Sequence, residues 1–84
     1  MTIKPHEKQA WKLNSNQYLA VQTIDTGYDY TIFNSKYQIV DGGQLDNPDF
    51  SMEQAKLAIL SMFNLGNTVI EDFDYDTLVL NLAP

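Results

Sequence analysis

The sequence predicts an α+β fold: a three-stranded antiparallel meander with one main helix packed on one face, and a C-terminal stretch that could add an extra strand. Three observations predict it. Residues 18–41 contain three short stretches in which apolar and polar side chains alternate, as they do in half-buried strands. Residues typical of tight turns separate these stretches. A helix-capping signal and an apolar stripe at helical spacing follow over residues 51–64.

The predicted strands are residues 18–24, 28–34 and 37–41. In the second strand, Tyr28, Tyr30 and Ile32 share one face, because alternate side chains of a strand point the same way. The dipeptide Gly42-Gly43 is expected to end the third strand, since glycine weakens a strand interior.

The helix is predicted over residues 52–64, after a capping box formed by Ser51 and Gln54, and Gly66 is expected to stop it. Core residues are predicted on the inner faces of the sheet and the helix: Leu19, Val21, Tyr30, Ile32, Ile39, Ala55, Ile59, Met62 and Phe63. Residues 77–82 are too few for periodicity to distinguish a strand from a short helix, although their apolar and β-branched content favours the strand.

The length of 84 residues predicts a single domain over residues 1–84. Within it, residues 1–17 are expected to form a leader or edge segment, in which residues 6–13 could be a helical turn or a strand, and residues 18–82 to form the sheet and helix. Trp11 is expected to pack on the edge of the sheet, and the alternative is an exposed contact for a partner. The N-terminus has no apolar stretch typical of a secretory signal, and no apolar run is long enough to span a membrane. Together with the absence of cysteine, this predicts a cytoplasmic protein.

Charge is distributed unevenly along the chain, which has eleven acids, five lysines and a net charge of −6. Residues 1–12 carry three lysines and one glutamate, a net of +2, whereas residues 13–84 carry two lysines and ten acids, a net of −8. Such a body repels nucleic acid and anionic membranes, because phosphate binding requires cations. It should instead attract basic protein surfaces, including those of host proteins that bind nucleic acid.

Residues suited to catalysis are scarce. His6 is the only histidine and there is no cysteine, which argues against a catalytic imidazole, a thiol nucleophile or a zinc site. The acidic residues 71–76 lack the glycine and the distant glutamate of a calcium loop. We therefore expect no enzymatic activity, no cofactor and no metal.

Two acidic stretches, one on each side of the predicted helix, are the candidate binding surface. The predicted partner-binding residues are Asp46, Asp49, Asp72, Phe73, Asp74, Tyr75 and Asp76. In this hypothesis the carboxylates contact a basic protein partner, and Phe73 or Tyr75 is the apolar anchor. In the alternative, the carboxylates are merely solvated and both aromatic residues belong to the core. Whether the two stretches form one face or two separate poles stays open.

Three features resemble a known family: GYDYT at residues 27–31, DGGQLDNP at residues 41–48, and the capped helix that follows. Over about residues 18–62 the chain resembles the large polyvalent protein-associated domains found in plasmid, phage and conjugative-element proteins of Firmicutes. The resemblance implies an origin in a mobile genetic element and an accessory, non-enzymatic role.

Two functions are consistent with this resemblance and with the charge. The first is an acidic protein-binding module of a mobile genetic element. The alternative is an anti-defence inhibitor, of the anti-CRISPR or anti-restriction type, that acts as an acidic mimic of nucleic acid. A mimic should place its acids in a contiguous stripe, whereas a general module should scatter them.

Overall fold

The computed structural model describes residues 6–13, 16–63 and 69–82. In these ranges the chain forms one five-stranded antiparallel sheet with two helices, in the strand order β4-β3-β2-β1-β5. The elements are β1 Lys8–Leu13, β2 Tyr18–Ile24, β3 Gly27–Phe33, β4 Ile39–Leu45, α1 Met52–Met62, β5 Val69–Phe73 and α2 Tyr75–Leu82. The α+β class is confirmed, but the sheet has five strands and not the predicted three, and there are two helices and not one main helix. Neither described helix is long and apolar enough to cross a membrane.

The first two predicted strands are confirmed within a residue or so, as β2 and β3, whereas the third differs. β4 starts two residues later than predicted and continues to Leu45, so Gly42 and Gly43 lie inside it rather than at its end. Gly43 pairs with Tyr30, and a Cβ atom at Gly43 would lie 2.8 Å from the Tyr30 hydroxyl oxygen. Gly43 therefore makes room for a large neighbouring ring.

Two further strands, β1 and β5, lie outside the predicted three-stranded meander. β1 pairs with β2 on one side and with β5 on the other, so Trp11 lies inside the sheet and not on its edge. Trp11 is only 3% exposed, which confirms that it is packed. The extra strand of the C-terminal region is β5, upstream of residues 77–82.

Residues 77–82 are helical, as part of α2. Asp74 precedes this helix and its carboxylate accepts a hydrogen bond from the Thr77 hydroxyl at 2.8 Å. The main-chain oxygen of Asp74 accepts a hydrogen bond from the Leu78 N–H at 3.3 Å. These local hydrogen bonds start a helix where composition favoured a strand, and the fully buried Leu78 side chain anchors it.

Both faces of the sheet are covered. α1 packs on one face, in a core cluster of Trp11, Leu13, Leu19, Val21, Tyr28, Tyr30, Ile32, Met52, Ala55, Ile59 and Leu60. α2 contributes Leu78 to a second cluster on the other face, with Ala10, Tyr18, Ala20 and Phe33. The small side chains of Ala10 and Ala20, paired in neighbouring strands, provide space for this second layer.

Most of the predicted core is confirmed, with two exceptions. Ile39 is 59% exposed, because it begins the edge strand β4. Met62 is 56% exposed. It is the last residue of α1, and the partly buried Phe63 closes the helix against the sheet instead, with its ring edge-on to that of Tyr30 at 5.7 Å.

The capping box of α1 is confirmed. The Ser51 hydroxyl accepts from the Gln54 N–H at 3.1 Å, and the Gln54 side-chain oxygen accepts from the Ser51 N–H at 2.8 Å. α1 ends at Met62 with Phe63 as its C-cap, two residues before the predicted end. The predicted stop at Gly66 lies outside the described residues.

We expect Ser51→Ala to lower the free energy of unfolding by about 1 kcal/mol, because it leaves an N-terminal N–H of α1 without its acceptor. Urea denaturation followed by circular dichroism measures this loss. Ser61→Ala is the control, since it makes the same chemical change at an exposed position of α1. Equal effects of the two substitutions would contradict a specific role of the cap.

Candidate functional site

A shallow cavity of about 200 Å³ lies where β5 turns into α2. We call the cavity and its lining the β5–α2 corner, and its residues are Lys8, Gln9, Ala10, Asp72, Phe73, Asp74, Tyr75 and Asp76. Five of the seven predicted partner-binding residues thus line one cavity. The pairing of β1 with β5 adds Lys8, Gln9 and Ala10, which are distant in sequence.

The two aromatic residues of the corner are half-buried. Phe73 packs against the second core cluster, with its ring 4.7 Å from that of Tyr18 and tilted by 52°. Tyr75 packs against the same cluster, and the Lys8 ammonium lies 5.4 Å from the centre of its ring. Each aromatic side chain therefore contributes to the core and also lines the cavity, so the two sequence hypotheses for them are compatible.

The three aspartates of the corner are exposed but differ in their contacts. The Asp76 carboxylate forms an ion pair with Lys8 at 3.0 Å, and that of Asp74 accepts from the Thr77 hydroxyl at 2.8 Å. The Asp72 carboxylate has no hydrogen bond or ion pair to any described residue. Three carboxylates against one ammonium leave the corner negative.

The phenol of Tyr75 is held in its neutral form. Burial raises the pKa of Tyr75, and the negative charges of Asp29 and Asp76 raise it further, against an opposite effect of Lys8. A neutral phenol can donate a hydrogen bond, and its ring face attracts cations. Carboxylates beside such a ring are suited to a lysine or arginine side chain.

A second aromatic pair lies beside the corner. Tyr18 and Tyr37 stack with ring centres 5.2 Å apart. A hydrogen bond with Tyr37 raises the pKa of Tyr18, followed by burial and by the negative charge of Glu71. Tyr37 has a φ of +62°, in the left-handed region. The turn that holds it there is fixed by the Asn34 carboxamide oxygen, which accepts from two main-chain N–H groups downstream.

The other two predicted residues, Asp46 and Asp49, lie elsewhere. Both are exposed and follow β4, the strand at the opposite edge from β5. Four inter-strand spacings separate the two edges, about 19 Å across the sheet. The two acidic stretches therefore form separate groups, which answers the question that the sequence left open.

Sequence reasoning left β1 undecided between a helical turn and a strand, and it did not find a further cavity. Trp11 and Leu13 alternate with Ala10 and Lys12, and this alternation is the signal that would have identified β1. The second cavity, of about 190 Å³, lies beside β4 and is lined by Gln17, Ile32, Val40, Asp41 and Phe63. Among the described residues, no group of three or more histidine, cysteine or acidic side chains is placed to hold a metal ion.

The fold and its corner define a small acidic α+β domain with a shallow, partly aromatic cavity, about large enough for one side chain. The chain belongs to the family described as large polyvalent protein-associated domain 16, whose model matches residues 5–81. The predicted resemblance is confirmed, and it extends beyond residues 18–62 to include β1, β5 and most of α2. No curated protein and no solved structure matches the chain.

Proposed function

We propose that the chain is a non-enzymatic, acidic protein-binding module of a mobile genetic element, and that its β5–α2 corner contacts a basic protein surface. The observation that carries this proposal is the corner itself, where exposed aspartates adjoin the half-buried rings of Phe73 and Tyr75. The family supports it, because its description names association with large polyvalent proteins. A domain that accompanies other polypeptide segments is suited to a binding role.

The corner is suited to one cationic side chain of the partner. A lysine or arginine at the corner would lie near the exposed Asp74 and Asp76, beside the half-buried rings of Phe73 and Tyr75. Asp72 pairs with Trp11, so its side chain belongs to the side of the sheet that α1 covers and adds negative charge at the margin of the corner. Exposed ion pairs contribute only about 0.2–1 kcal/mol each, so the corner alone does not give tight binding. Its effect is expected mainly on the association rate and on partner choice, with further contacts providing affinity.

The distribution of acids supports a binding module more than a mimic of nucleic acid. Asp46 and Asp49 lie at one edge of the sheet and the aspartates of the corner at the other. Lys8 interrupts the negative charge of the corner through its ion pair with Asp76. A phosphate-like stripe requires continuous negative charge, whereas these two groups of carboxylates lie at opposite edges of the sheet.

Affinity capture from host lysate tests the proposal, with the wild-type chain beside the double variant Asp72→Asn, Asp74→Asn. We expect the variant to recover less of the wild-type partners, and to lose the steep decrease of recovery with salt, because exposed charges are screened. Asp25→Asn is the control, since it removes an exposed carboxylate from the β2–β3 turn. Equal yield and equal salt dependence for the wild type and the double variant would contradict the proposal.

A further inference from the structure

β4 is an edge strand with hydrogen-bonding groups directed outward. The Thr23 N–H donates to the Glu7 main-chain oxygen at 2.9 Å, so the main-chain groups of Thr23 point away from β3. In an antiparallel sheet this direction alternates from each residue of a strand to the next. Thr23 is paired with Tyr28, and Tyr28 with Leu45, so the same alternation can be extended to β4. The main-chain N–H and carbonyl groups of Gly43 then point toward β3, and those of Gly42 and Gln44 point away from it. The Gly42 N–H confirms this direction, since it donates to the Asp41 carboxylate at 2.8 Å and not to β3.

β4 is also the more open of the two edges. Gly42 has no side chain, and Ile39 and Val40 are 59% and 50% exposed, so another strand could approach closely. The opposite edge, β5, carries two adjacent exposed acids in five residues, and α2 follows it after one residue. Charged side chains are a common way of protecting an edge, and β4 carries only one, Asp41.

A cavity adjoins β4 on the side of the sheet that α1 covers. The register between β3 and β4 shifts at Ile32 and Phe33, which leaves Val40 outside the regular pairing. Val40 lines the cavity of about 190 Å³ together with Ile32 and the ring of Phe63, and Asp41 lies at its side. A strand added beside β4 could therefore place an aliphatic side chain in this cavity and, on the same face, a cationic side chain near Asp41.

Charge decides between a second copy and a different partner. No lysine occurs between residues 37 and 55, whereas β4 and the residues after it carry Asp41, Asp46 and Asp49. Antiparallel pairing of two copies through β4 would bring these carboxylates close to those of the other copy, and like charges across a strand pair are destabilising. A segment that carries lysine or arginine is complementary instead.

We propose that β4 accepts an extended, basic segment of a partner protein as a sixth strand of the sheet. The segment places a lysine or arginine near Asp41 and an aliphatic side chain in the adjoining cavity, at alternate positions on one of its faces. Main-chain hydrogen bonds to the Gly42 carbonyl oxygen and to the N–H and carbonyl groups of Gln44 hold it, since the Gly42 N–H already donates to the Asp41 carboxylate. This surface is distinct from the β5–α2 corner, at the opposite edge of the sheet.

A synthetic peptide with blocked ends and the sequence Thr-Lys-Thr-Val-Thr-Lys-Thr-Val-Thr tests the proposal, because its lysines and valines share one face when it is extended. The peptide is titrated into the ¹⁵N-labelled full chain and followed by NMR. We expect saturable shifts in residues 39–45 and in the cavity lining. A peptide with glutamate for lysine, and one N-methylated at alternate residues on its pairing edge, should bind about tenfold more weakly or not at all.

Matched variants locate the binding. Val40→Lys should abolish it, whereas Leu57→Lys adds the same charge at an equally exposed position of α1 and should leave it unchanged. Asp41→Asn should weaken it several-fold, whereas Asp72→Asn at the opposite edge should not. The proposal would be overturned if no saturable shift occurred in β4, or if the shifts were confined to residues 71–76. Equal binding of the N-methylated peptide would also overturn it, as would a dimer of the chain that Val40→Lys dissociates.

Discussion

Replacing Ile59 with alanine should lower the free energy of unfolding by about 2–5 kcal/mol, because it removes buried methylene groups and leaves a cavity. Ile59 is fully buried in the cluster between α1 and the sheet. A domain of this size has a thin stability margin, so a loss of several kcal/mol is a large share of its total. Urea denaturation followed by tryptophan fluorescence is a suitable measurement, since Trp11 belongs to the same cluster.

Leu57→Ala is the control for that prediction. Leu57 lies on the same helix but is 51% exposed, so its truncation should change the free energy of unfolding by less than about 0.5 kcal/mol. If Ile59→Ala were as mild as Leu57→Ala, α1 would not be packed on the sheet as described.

Gly27→Ala should destabilise the domain by about 2–4 kcal/mol, from backbone strain and overpacking together. Gly27 begins β3 with a φ of +147°, a conformation that residues with a side chain rarely adopt. A Cβ atom there would overlap the Leu45 carbonyl oxygen and lie 2.6 Å from the Asn47 nitrogen. The start of β3 and the end of β4 are therefore in direct main-chain contact.

Thermal unfolding of Gly27→Ala beside Thr26→Ala separates this effect from a general sensitivity of the turn. Thr26 is exposed in the preceding turn, and its truncation should shift the midpoint by little. A midpoint for Gly27→Ala equal to that of Thr26→Ala would mean that the main-chain contact with Leu45 is absent.

Elements whose signals are local were predicted well. β2, β3 and α1 follow from strand alternation and from a capping box that Ser51 and Gln54 form. β1 and β5 were not placed in the predicted sheet, because each is short and their pairing joins residues far apart in the chain, such as Ala10 and Phe73. The pattern of apolar and polar residues within a short stretch does not indicate which distant strand it pairs with.

The same distinction applies to the candidate site. The aspartates and aromatic residues of the β5–α2 corner are consecutive in sequence, so they could be found together. Lys8 comes to the corner through strand pairing, and Asp46 and Asp49 are carried to the opposite edge by the strand order. Neither placement could be inferred before the order of strands was known.

The position of β1 between β2 and β5 also determines where the chain enters the sheet and where it leaves it. β1 and β5 lie side by side, and Lys8, the first residue of β1, is joined to Asp76 in the first turn of α2 by an ion pair of 3.0 Å. The chain therefore enters the sheet close to the place where it leaves it.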